Sequence, residues 1–258
     1  MEKKLSVGQN TLFNSVGSLY YLGCQWLLTV LVVRLGSYES AGILSLCMSI
    51  TNLFYTLASF GIRDFQVSDY NGKYSPAQYV STRLLTCTVS AGLCCAVVGL
   101  NRGYTGYEAA CIIVYMLYRV AEALVDTFQA MEQKAERMDY NFISFVLRGT
   151  LLLVGFSAVL YLTKNLLLAI ASIAVTSFAV VLLFDVPIGK KLTGFRLSFS
   201  LSAKMCIRDR HEGDHESLRA YLRHGGGGDH RQRYAGTNPQ RPQGGCGLSG
   251  EGGLSVKG

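Results

Sequence analysis

The sequence predicts an all-α, polytopic membrane protein with six spans, and three observations carry that reading. Residues 1–203 hold six apolar runs, each long enough to cross the roughly 30 Å hydrocarbon core of a bilayer. Lys and Arg gather in alternate connections between those runs. The polar residues inside the runs recur at helical spacing, which gives each run one hydrophilic stripe.

The first span, 11–33, ends at Arg34. Its stripe is Asn14, Ser18, Tyr21 and Gln25, at i, i+4, i+7 and i+11. A basic start precedes it, without a small-residue cleavage site after the apolar run, so it reads as an uncleaved span. The second span, 41–62, repeats the design through Ser45, Ser49, Asn52, Thr56 and Ser59, and the stripe continues to Arg63. Such stripes either glue helices together or line a cavity. A polar link from Arg63 to Arg83 follows, with turn signals at Asn71-Gly72 and Ser75-Pro76. The third span is 79–100.

The fourth span, 107–131, carries Arg119, Glu122 and Asp126 inside it. Its 25 residues cover about 37 Å as a helix, so Arg119 falls near the midplane and the two acids nearer one end. Offsets of three and four place all of them on one face. Each charge at that depth costs a few kcal/mol on the gentlest scale, about 2.5–3.5, so the face must see protein or a water-filled cavity. An Arg–Glu pair that only fixes packing and a face that lines a solute pathway both meet this requirement. The fifth span, 140–162, contains Arg148; the sixth, 165–186, is expected to stop at Pro187 before a basic loop.

With six crossings, Lys3, Lys4, Arg63, Lys73, Arg83, Lys134, Arg137, Lys190, Lys191 and Arg196 share one side. The other side has Arg34, Arg102 and Lys164. The positive-inside rule then puts both ends of the block in the cytoplasm. Glu122 lies nine residues from Met131 and Arg148 nine from Asp139, which sets both about 13 Å from the inner ends of their helices. A Glu122–Arg148 pair is therefore expected to be within reach. If Glu122 neutralises one arginine, the other is left for an anion, and a planar guanidinium suits phosphate. The candidate cavity residues are Arg119, Glu122, Asp126, Arg148, Arg63, Asn14, Gln25 and Asn52.

The run SYESAGILSLCMSITNLFYTLASFGIRDFQVSDYNGKYS, Ser37 to Ser75, resembles the corresponding region of bacterial oligosaccharide flippases. These are polysaccharide biosynthesis proteins of the O-antigen and teichoic-acid export type, within the multidrug/oligosaccharidyl-lipid/polysaccharide exporter superfamily. The resemblance covers about residues 8–200 and is strongest at Gly61, Arg63, Gln66, Ser68 and Asp69. It implies an all-helical transporter of two six-helix lobes in the bacterial cytoplasmic membrane, moving a polyprenyl-pyrophosphate-linked oligosaccharide outward by alternating access. Residues 1–203 supply one lobe, and the second lobe of the same protein is the missing partner.

Residues 204–258 are a different kind of polypeptide. They hold all four His (His211, His215, His224, His230) and no long apolar run. The run Lys204 to Arg210, KMCIRDR, reads as the translation of a transposase adapter used in sequencing libraries, and the Gly-rich remainder as unrelated or frameshifted DNA. That tail is expected to be disordered. Cys206, His211, His215 and Cys246 match no compact zinc spacing.

The net charge of +7 divides between loops and tail, without a basic patch interleaved with aromatics, so nucleic acid is not an expected partner. Six of the eight Cys lie in apolar runs and read as small hydrophobes. The membrane block has no His, which removes the base that an intramembrane serine hydrolase needs. The outer loops are too short for the large domain of a glycan polymerase. No enzymatic activity, cofactor or metal is expected. The alternatives to a flippase are an ion-coupled multidrug exporter of the same design and a non-transporting membrane scaffold.

Overall fold

The computed structural model describes residues 6–69 and 74–194, all within one compact unit. The expectations for the Asn71-Gly72 turn, for residues 195–203 and for the tail at 204–258 lie outside the described residues. Among the described residues the chain is all-helical: α1 (Val7–Leu35), α2 (Tyr38–Ser59), α3 (Ile62–Ser68), α4 (Pro76–Leu100), α5 (Gly106–Lys134), α6 (Met138–Thr163), α7 (Leu166–Val180) and α8 (Val186–Thr193). A π-helical turn, Val181–Asp185, joins α7 to α8.

Five helical stretches are long and apolar enough to cross a membrane: α1, α2 with α3, α4, α6, and α7 through α8. Their outward faces are continuous apolar stripes. On α4 these are Leu85, Val89, Leu93 and Val97; on α6, Ile143, Leu147, Leu151 and Val154. Exposed aliphatic surface on that scale suits lipid and not water. The capping chemistry that starts these helices is ordinary. Ser37 accepts from Ser40 N–H, Ser75 with Gln78 and Thr105 with Glu108 form capping boxes, and Asn165 accepts from Leu167 N–H.

α5 stands apart. It is long enough to span, but its charges keep it out of the apolar set. It is also the most enclosed helix, with 14 of its 29 residues buried, because α2, α4 and α7 pack around it and α3, α6 and α8 touch it. The least apolar of the long helices is central because its polar groups need protein partners that lipid does not supply.

α1 packs chiefly on α6, and two glycines set the approach. A Cβ at Gly17 would meet Phe145 at 3.0 Å and the Phe142 backbone at 3.1 Å; one at Gly149 would meet Cys24 Sγ and Tyr20 at 3.2 Å. Small residues let the two backbones close. Polar ties hold the register: Tyr20 Oη and Thr150 Oγ1 lie 2.8 Å apart. Asn10 donates to the Glu136 carbonyl and accepts from Met138 N–H.

Two boundaries differ from expectation. The second span does not run straight to residue 62: Phe60 (φ 38°) and Gly61 (φ 63°) both turn left-handed, and α3 starts afresh inside what the sequence presents as a polar link. The sixth span does not stop at Pro187. Proline clashes with the carbonyl four residues back, and the wider π register just before it accommodates the ring, so the helix continues to Thr193.

Candidate functional site

α5 presents Glu122, Asp126, Gln129 and Gln133 at i, i+4, i+7 and i+11, a single face that meets α1 through Glu122 and α3 through the other three. Two charged clusters grow from it.

The deeper cluster centres on Glu122. Its Oε1 accepts from Tyr21 O–H at 2.6 Å, Tyr118 O–H at 2.8 Å and Gln25 Nε2 at 3.2 Å. Its Oε2 accepts from Arg119 at 2.5 Å. Each phenol has one proton, so with both donated to Glu122 the Tyr118 oxygen is free to accept from Gln25, 3.0 Å away. The other terminal nitrogen of Arg119 donates to Asn52 Oδ1 at 2.8 Å, and the guanidinium sits 4.7 Å from the Tyr55 ring centre. A carboxylate with four donors and an arginine with a carboxylate, an amide and a ring are fully committed.

The second cluster centres on Asp126, one turn toward the α5 C-terminus. One oxygen accepts from Arg63 and the other from Arg83, both at 2.8 Å. Arg83 has no exposed surface. It also donates to Thr127 Oγ1 at 2.9 Å and to the carbonyls of Ala58 and Ser59 at 3.0 and 2.7 Å. Those carbonyls are orphan acceptors at the C-terminal end of α2, where a cation complements the helix dipole. The backbone break after Ser59 is thus held by an arginine from α4. Arg63, on α3, keeps 30% of its side chain exposed and reaches Gln129 and Gln133 at 3.5 Å.

Arg148 lies beside the deeper cluster without joining it. The expected Glu122–Arg148 pair does not form, because Glu122 is taken by Arg119 three residues away on the same helix. Arg148 instead rests over the Tyr21 ring at 4.9 Å and the Phe145 ring at 5.4 Å. It is 5% exposed, and among the described residues no hydrogen bond or ion pair engages its guanidinium. Tyr21 therefore couples the two arginine environments: its hydroxyl holds Glu122 and its ring faces Arg148.

Of the eight residues singled out in the sequence, Gln25, Asn52, Arg119 and Glu122 come together in one network, and Arg63 and Asp126 in the next. Arg148 adjoins the first. Asn14 is half-buried and joins neither. The hydroxyls of Ser45, Ser49 and Thr56 turn back to carbonyls of their own helix. Sequence reasoning missed Tyr118 and treated Arg83 as a loop cation. It also passed over Asp185, Glu132 and Asn141, all without exposed surface. Asp185 had a signal: an acid alone in the run AVVLLFDVP.

No family model, curated protein or solved structure matches the chain.

Proposed function

We propose that this chain is the amino-terminal lobe of a flippase that carries a polyprenyl-pyrophosphate-linked oligosaccharide across the bacterial cytoplasmic membrane for surface polysaccharide assembly. In this reading α5 crosses the membrane together with the five apolar stretches to make six crossings, both ends of the block are cytoplasmic, and a second six-helix lobe completes the transport path. The observation that carries it is Arg148. A buried guanidinium that makes no hydrogen bond among the described residues, held between two aromatic rings in an apolar helix, is prepared for a ligand that brings negative charge and several acceptors. A pyrophosphate does both.

Arg119 and Arg63 have different work in this reading. Each is anchored to a carboxylate of α5, so they set the local potential and the shape of the groove and leave the headgroup to Arg148. The resemblance of Ser37 to Ser75 to the oligosaccharide flippases supplies the substrate class. The test uses the lobe joined to the second lobe recovered from the native locus. Cell-surface glycan is measured at matched protein level. Arg148→Ala should abolish export and Arg148→Lys should retain part of it, since lysine keeps the charge and loses the fork. Export of cationic drugs, with surface glycan unchanged by Arg148→Ala, would favour a multidrug exporter.

A further inference from the structure

A third polar cluster lies on another face of α5, away from both arginine networks. Glu132, in the last turn of α5, has no exposed surface, and among the described residues neither of its carboxylate oxygens has a hydrogen-bond partner. Asp185, in the π-helical turn, is equally enclosed; Ser144 O–H donates to one of its oxygens at 2.8 Å and the other is unpartnered. Asn141, in the first turn of α6, is fully buried with both its amide oxygen and its amide nitrogen unpartnered. Three residues, 135–137, connect α5 to α6, so Glu132 and Asn141 lie at one height on neighbouring helices. Asn141, Ser144 and Arg148 follow at i, i+3 and i+7 on one face of α6, and all three are buried. The Ser144–Asp185 bond fixes what that face looks at.

The charges around Glu132 can be counted from every element that packs there. Asp185, Asp139 and Arg148 are the charged groups within its electrostatic reach. Asp139 is matched by Arg137, which bonds both its oxygens at 2.9 and 2.8 Å. Lys134 is turned away to the Asp69 carbonyl, Lys191 lies 6.0 Å from the Tyr140 ring, and Lys190 is exposed. α1 contributes the uncharged Asn10. Two ionised acids against one guanidinium would leave one negative charge without compensation in the interior. A buried carboxylate without hydrogen bonds is among the costliest groups a protein can hold.

We propose that Glu132, Asp185 and Asn141 form a binding site for one proton, shared between the two carboxyl groups and held between α5, α6 and the π-helical turn. A proton removes the excess charge and converts one carboxylate into an O–H donor. Asn141 then offers its unpartnered amide oxygen as an acceptor to that donor. A multivalent metal fits less well, since among the described residues no three acidic, His or Cys side chains converge. The proton comes from cytoplasmic water in the orientation proposed above, and no bond other than O–H forms or breaks. The π register gives Asp185 its place: a widened turn inside a helix carries the carboxyl to α6, and such turns recur at functional sites.

The test is infrared difference spectroscopy on the full 258-residue chain in lipid nanodiscs, titrated with base in sodium-free buffer. A carboxylic-acid C=O band at neutral pH that bleaches on alkalinisation is expected, and Glu132→Gln or Asp185→Asn should remove it. Asn141→Leu keeps both acids and should shift the band frequency by deleting the acceptor, which covers the case where an acid variant does not fold. Absence of the band in the wild type, or its persistence unchanged in all three variants, overturns the proposal. Loss of the band on adding sodium at constant pH also overturns it, because the site would then belong to a metal cation. None of these outcomes depends on flippase activity, so failure here leaves the reading of Arg148 to its own test.

Discussion

Replacing Arg83 by Ala separates a structural charge from an accessible one. Arg83 has no exposed surface and makes hydrogen bonds to Asp126, Thr127 and the carbonyls of Ala58 and Ser59. Its removal breaks a buried ion pair, which costs about 3–5 kcal/mol. The Arg63 partner of the same carboxylate is 30% exposed, and a solvent-accessible pair contributes about 0–1 kcal/mol. Arg83→Ala should therefore destabilise by about 3 kcal/mol more than Arg63→Ala, a factor of roughly 100 in the unfolding equilibrium. SDS titration of the chain in mixed micelles, followed by circular dichroism, reads both variants on one scale. Adding Asp126→Ala to Arg83→Ala should recover only part of the loss, because the α2 carbonyls stay without their cation. Equal costs for the two arginine variants, or complete recovery in the double variant, would refute this assignment of the clamp.

Three further outcomes follow from the geometry. Tyr21→Phe deletes one donor to a charged acceptor, worth about 1.5–3 kcal/mol, and should cost more in the same titration than Tyr20→Phe, whose bond to Thr150 is exposed. Gly149→Leu forces a side chain against Cys24 and Tyr20 and should cost about 1–3 kcal/mol, while Gly155→Leu, which meets only Thr176 at 3.8 Å, should cost less. In a cysteine-less background, single cysteines at Gly103 and Lys164 should react with an impermeant thiol reagent applied outside intact cells, and those at Glu136 and Lys190 should not; the opposite pattern reverses the proposed orientation.

The positions of the long helices are legible in the sequence because bilayer thickness and capping chemistry are local rules. The spans expected to begin at 41, 79, 107 and 165 begin within three residues of those positions. Asn52, on the polar stripe of the second span, meets Arg119. Depth arithmetic failed for Glu122 and Arg148 for a definite reason: it fixes height along a helix and says nothing of azimuth. A carboxylate with an arginine at i−3 needs no long-range partner. The break at Phe60 was not legible because left-handed backbone is unusual for a phenylalanine, and what holds it is Arg83, 24 residues beyond Ser59. Arg83 itself looked like a loop cation until α4 was seen to begin at Pro76. The continuation past Pro187 depends on a π turn, which has no simple sequence signature.

The central claim, that Arg148 is held in reserve for a lipid-linked pyrophosphate, is tested most directly by equilibrium binding of polyprenyl pyrophosphate to the chain in nanodiscs, with polyprenol as the uncharged control. The account predicts that the wild type binds the pyrophosphate and not the alcohol. Arg148→Lys should bind more weakly, and Arg148→Ala should lose binding even when Asp185→Asn relieves the carboxylate that the first change leaves behind. Binding to Arg148→Ala equal to that of the wild type, or full recovery of binding in the Arg148→Ala, Asp185→Asn double variant, would contradict it and reduce Arg148 to a packing charge.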